Sequence, residues 1–126
     1  MSPHNLHLPL AKIKNMPTSI ELYDEADQLK DAGQLDQAIA KLNEVLAQEE
    51  DFALAHSALA VLYGKVNRHE DAIRHGQRAC ELEPNDPFGF TALSVTFQRA
   101  FAGTGNQQYI QMAEDAMARS RAMQGH

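Results

Sequence analysis

The sequence predicts an all-α fold of three stacked helix pairs, and three observations carry that prediction. The chain repeats itself every 34 residues: Ala26, Ala60 and Ser94 are in register, as are Leu22, His56 and Phe90, and Leu29, Tyr63 and Phe97. A fixed period of this size is the signature of stacked supersecondary units. Ala, Leu, Gln and Glu are abundant, while clusters of strand-forming residues are scarce, which favours helix throughout. Turn signals recur at matching points, at Gly33, at Asn67 and in the Glu83–Pro87 run.

Each helix has its own local reasons. Thr18 followed by Glu21 forms a capping-box pattern, so the first helix starts near Ser19 and runs to about Ala32, where Gly33 stops it. The second is expected over Leu35–Gln48. Asp51 is placed to cap a third, about Phe52 to Lys65, which Asn67 breaks. The fourth runs from His69 to Leu82. Asp86 suits an N-cap and Pro87 the first helical position of a fifth helix, expected to end near Phe101. Gly103 to Asn106 then forms a turn, and Asn106 caps a sixth helix over about Gln107–Met123.

At 126 residues the repeats use nearly all of the chain. Residues 1–17 read as a basic, leucine-containing tail, and 18–126 as one helical repeat domain with units 19–52, 53–86 and 87–124. The tail carries Lys12 and Lys14 and no acid, whereas residues 18–52 hold ten acids against two bases. The net charge of −6 argues against a nucleic-acid partner. No apolar run is long enough for membrane insertion, and no secretory leader pattern is visible. Cys80 stands alone, which excludes an intrachain disulfide and fits a reducing, cytoplasmic setting.

The repeat resembles the tetratricopeptide repeat family. The unit from Ala53 to Asp86 matches that family's pattern through Leu59, Ala60, Tyr63, Ala72, Ala79 and Pro84, with Gly76 where a second aromatic is expected. The unit from Ser19 to Phe52 matches through Leu22, Ala26, Leu29, Gly33, Ala38 and Leu42, and departs at Glu25, Val45 and Glu50. The third begins with Phe90, Leu93, Ser94 and Phe97, then resumes at Ala113, Met117 and Ser120 after about seven extra residues near Phe101–Gln108. Seven residues is about two helical turns, so the faces stay in phase. The resemblance spans Ser19 to Gln124 and implies a right-handed superhelix of helix–turn–helix hairpins.

In that family the first helix of each pair lines a concave surface that binds proteins or peptides. Carried over, the groove would be lined by Ile20, Tyr23, Asp27 and Lys30, by Leu54, Ser57, Val61 and Gly64, and by Phe88, Thr91, Val95 and Gln98. An apolar lining of this kind marks an interaction site, although helix packing itself hides part of such a surface. Some members grip a chaperone's C-terminal carboxylate with Lys and Asn. The matching positions here hold Tyr23, Asp27, Ala58, Phe88 and Ala92, so that clamp is not expected. The partner expected is a protein or peptide, basic or apolar in character, and a homodimer is the other arrangement to weigh.

Two regions suggest self-association: Leu6, Leu8, Leu10 and Ile13 in the tail, and Ile110, Met112, Met117 and Met123 in the last helix. Residues 4–16 either lie in a groove, their own or a neighbour's, or are ordered by incidental packing, or form a short extra helix. Arrays usually finish on a polar capping helix, and methionines make adaptable contacts. No catalytic group, cofactor or metal is expected. His4 and His7 lack a third ligand, His56 and His75 read as structural, and the acids beside His69 open a helix, where the dipole favours them. Cys80 sits among packing residues, and Arg74 with Arg78 reads as a solvated face.

Overall fold

The computed structural model describes residues 16–125. Six helices follow in order: α1 (Ser19–Asp31), α2 (Leu35–Gln48), α3 (Ala53–Lys65), α4 (His69–Leu82), α5 (Pro87–Thr104) and α6 (Gln108–Gln124). They form three antiparallel hairpins, α1–α2, α3–α4 and α5–α6, stacked in sequence, with α3 also touching α5. The result is an all-α helical-repeat superhelix.

The turns follow from the residues at them. The Thr18 hydroxyl accepts from the Glu21 amide at 3.1 Å, and the Glu21 carboxylate accepts from the Thr18 amide at 2.8 Å, completing the capping box. Gly33 closes the first turn in the left-handed region (φ +79°), where a Cβ is disfavoured. One period later Asn67 takes the same conformation at φ +64°, which Asn tolerates better than other non-glycine residues. Asp86 caps α5 by accepting from the Phe88 amide at 3.0 Å, with Pro87 in the first turn.

Three local expectations need correction. Asp51 does not cap α3: Phe52 takes the N-cap position, and no side chain bonds the free amides there. The fifth helix passes Phe101 and continues to Thr104, ending at Gly105 in the left-handed region. Part of the extra length is therefore helix rather than turn, because its backbone carbonyls keep their partners. Arg74 is exposed, as a solvated face requires, but Arg78 is only partly so. Arg78 holds Glu50 through two bonds, 2.8 and 2.7 Å, tying α4 to the α2–α3 turn, and Arg74 pairs with Asp71. Asn106 does bond the Gln108 amide, at 3.0 Å.

The core is divided along the stack. One cluster joins Leu22, Ala26, Ala38, Leu42, Leu59 and Tyr63 across the first two hairpins. A second joins Ile73, Cys80, Leu93, Phe97, Ala113 and Ala116 across the last two. The alanines at the hairpin crossings are buried, and their small size lets paired helices approach. Gly76 explains the missing aromatic: Leu93 of α5 reaches into that space, and a Cβ added there would meet its Cδ1 at 3.1 Å.

Candidate functional site: the concave face

The 34-residue register places equivalent residues of α1 and α3 side by side, because both are the first helix of their hairpin. Between them lies a cleft of about 280 Å³ lined by Tyr23, Asp27 and Lys30 of α1 and by Leu54, Ser57, Ala58 and Val61 of α3. Ala26, Leu42 and Leu62 form its buried floor. Ile20, Leu54 and Phe88, one period apart in the first turns of α1, α3 and α5, are 64%, 60% and 75% exposed. Val61 and Val95 are exposed on the same helices.

The cleft's polar groups are few, and its charged ones are paired. Lys30 Nζ lies 3.0 Å from Asp27 and 3.6 Å from Asp31. The Tyr23 ring stacks on Phe52 with centroids 5.6 Å apart. Burial raises the Tyr23 phenol above its ordinary 10, with help from Asp27, so it stays a neutral hydrogen-bonding group at the cleft wall. A surface of apolar anchors with a small number of polar groups suits a docked peptide or helix.

Tyr23, Asp27, Lys30, Leu54, Ser57 and Val61 are thus brought together, with Ile20 and Phe88 exposed in the adjacent register and Gly64 half-buried. Thr91 and Gln98 are directed elsewhere. The Thr91 hydroxyl shares a 2.7 Å bond with Ser120 of α6, and Gln98 donates to Ser94 at 3.2 Å. Gln98 lines a second, open cleft of about 750 Å³ at the end of the stack, with Phe101, Ile110, Glu114, Met117 and Arg121. Met112 is exposed and Met123 half-buried on α6. Leu6, Leu8, Leu10 and Ile13, with His4 and His7, lie outside the described residues.

Sequence reasoning missed the cleft floor and the part played by Phe101. Leu42 entered the sequence reading as a repeat-matching position and Leu62 not at all, and both are buried beneath the opening between α1 and α3. Phe101 was assigned to the end of a helix that in fact continues past it. Its apolar character in a stretch with no repeat partner was the available signal.

Cys80 is buried, and burial raises its thiol above the ordinary 9, away from a reactive thiolate. Among the described residues no three His, Cys, Asp or Glu side chains gather as a metal site. Nor is any helix among them long and apolar enough to cross a membrane.

Comparison with known proteins bears on the fold. The TPR repeat family matches residues 26–67, from the middle of α1 to the turn after α3. No curated protein sequence matches. Among solved structures, the crystal structure of MamA protein superposes with a TM-score of 0.73 at 16% identity, over 86% of this chain. The chain spans 55% of the length of that MamA chain. The second TPR of Spaghetti (RPAP3), solved bound to an HSP90 peptide, superposes with a TM-score of 0.70 at 18% identity, over 90% of this chain and 99% of that one. The chain therefore contains a tetratricopeptide (TPR) repeat segment at residues 26–67, within a six-helix superhelix that has the fold of TPR proteins.

Proposed function

We propose that this protein is a non-catalytic interaction module, an adaptor or assembly factor that holds a peptide or helix of another protein in its concave face. The observation that carries this reading is the α1–α3 cleft with its exposed row Ile20, Leu54 and Phe88. Large apolar side chains aligned on one face and left in water favour a partner that covers them. The peptide bound by the RPAP3 TPR domain, which shares this fold, supports the same reading. The acidic first repeat favours a partner with basic character and speeds its approach. The lone buried Cys80 suits a cytoplasmic compartment.

The test is a pull-down from native lysate read by mass spectrometry, comparing the intact chain with Leu54→Glu/Phe88→Glu. Both side chains are exposed, so the variant is expected to fold, which circular dichroism verifies. Tyr23 is a poorer choice because it also packs on Phe52. A specific protein held by the intact chain and lost from the variant supports the reading. Identical protein sets on both chains would remove it.

A second reading is favoured by the open cleft between α5 and α6, which Phe101, Ile110 and Met117 line with apolar surface. In that reading the protein is a self-assembling scaffold whose last helix, together with the N-terminal segment, joins subunits.

A further inference from the structure

α6 packs on α5 through Ala113, Ala116 and Ser120, which are buried. Beside that seam runs a second stripe, Ile110, Glu114, Met117, Ala118 and Arg121, which lines the open cleft between the two helices. Ile110 is 41% exposed, Glu114, Ala118 and Arg121 are exposed, and Met117 is half-buried. The intervals i, i+4, i+7, i+8 and i+11 put all five on one face of the helix.

The two charges of this stripe lack partners in their own helix. Glu114 has no base three or four residues away, and Arg121 has no acid at those positions, which are the ones a helical side chain reaches. They stand about 10.5 Å apart along the axis, too far to pair with each other. Among the described residues neither forms an ion pair within the chain. Their neighbours are engaged: Asp115 accepts from Gln111 at 2.9 Å, and Arg119 lies over the Phe90 ring at 5.1 Å.

Reversed, the stripe complements itself. Two copies of α6 running antiparallel about a two-fold axis between Met117 and Ala118 set Glu114 opposite Arg121, Met117 opposite Ala118, and Ile110 opposite Gly125. Each pairing occurs twice, as a two-fold contact requires. Acid meets base, and each large apolar side chain meets a small residue. The groove between α5 and α6, which Phe101 also lines, offers the partner helix an apolar seat.

We propose that this face binds a second copy of the chain, α6 against α6 in antiparallel order, giving a homodimer in which Glu114 of each protomer pairs with Arg121 of the other. Ile110 and Met117 supply the apolar attraction, while the two charge pairs fix direction and register. The contact is isologous, so assembly closes at two copies rather than growing into a filament. No residue of the stripe lines the α1–α3 cleft, so the dimer presents that cleft twice. The pairing rests on the reading of α6 as the joining helix of a scaffold.

Sedimentation equilibrium on the full-length chain is expected to give twice the 14.0 kDa chain mass at high concentration. Glu114→Arg alone and Arg121→Glu alone set like charges opposite each other, and each should return the chain to monomer. Mixing the two variants should restore a dimer with one chain of each kind, because each offers the charge that the other lacks. The double variant Glu114→Arg/Arg121→Glu should dimerise with itself. Both side chains are exposed, so the fold should survive, which circular dichroism verifies. Should a variant not fold, a short bismaleimide joining Gln111→Cys of one copy to Gln124→Cys of another, each with Cys80→Ala, reads the same register, and its failure to join them would overturn the pairing. An intact chain that stays monomeric would overturn both the pairing and the scaffold reading. Self-association that survives either single variant, or variants that do not pair on mixing, would overturn the antiparallel contact. If Ile110→Glu/Met117→Glu abolishes that self-association, the scaffold reading stands without it.

Discussion

His75 and His56 form the least ordinary pair of side chains in the core. A carbonyl can only accept, so the 2.7 Å contact from His56 Nε2 to Glu50 O makes that nitrogen the donor. In a neutral His56, Nδ1 then accepts from His75 Nδ1, 3.0 Å away. The Tyr63 ring stacks on His75 with centroids 5.6 Å apart. Burial, and then the proximity of His56 and Arg74, lowers His75 from 6.5 to about 4. Unfolding in that window binds a proton, so this contribution to stability is full above pH 6.5 and lost as pH falls toward 4. Thermal melts should therefore show a drop in Tm between pH 7 and 4.5 that shrinks in His75→Gln. An equal drop in both chains would contradict it. Leu59, fully buried at the centre of the first cluster, offers a simpler check. Leu59→Ala should cost about 2–5 kcal/mol in urea unfolding, because neighbours only partly collapse into the void.

Among the helices, the longer α5 has a specific mechanical consequence. Its additional turn lays Gly103 against the imidazole of His69 at the start of α4, where any Cβ would collide with the ring. Both His69 ring nitrogens are buried there without a hydrogen-bond partner, which itself costs stability. Gly103→Ala should destabilise the chain by about 1–3 kcal/mol through overpacking, even though alanine is the better helix former. His69→Ala should relieve most of that loss, and a double-mutant cycle in urea measures the coupling. Additive effects would show that the ring simply moves aside. The notch is a cost of the insertion near Phe101, since it is the added helical turn that carries a residue over α4.

For the molecule as a whole, the stack has two different apolar openings. The concave cleft lies between the first two repeats, whereas the second cleft is lined, among the described residues, by α5 and α6. Apolar ends of repeat arrays are prone to stack on other copies. If the scaffold reading holds, sedimentation at high protein concentration should give a mass above the 14.0 kDa monomer for the intact chain. Ile110→Glu/Met117→Glu should return it to monomer. A strictly monomeric intact chain would leave the concave face as the interaction surface.

Much of this architecture was legible in the sequence because the interactions that set it are local or periodic. Thr18 with Glu21, Gly33, Asn67, and Asp86 with Pro87 act within a few residues, so the boundaries of α1, α2 and α4 could be read directly. The 34-residue register determined which helices are equivalent, and hence that Ile20, Leu54 and Phe88 align. Asp51 misled because capping depends on backbone geometry as well as residue type, and Phe52 took that position. The tertiary structure alone decided what depends on the approach of distant segments. It directs Thr91 to Ser120 rather than to the cleft, fills the space beside Gly76 with Leu93, pairs Arg78 with Glu50 and His56 with His75, and continues α5 beyond Phe101. Periodicity assigns a side chain to a helix face, but the stacking of hairpins decides whether that face meets another helix or water.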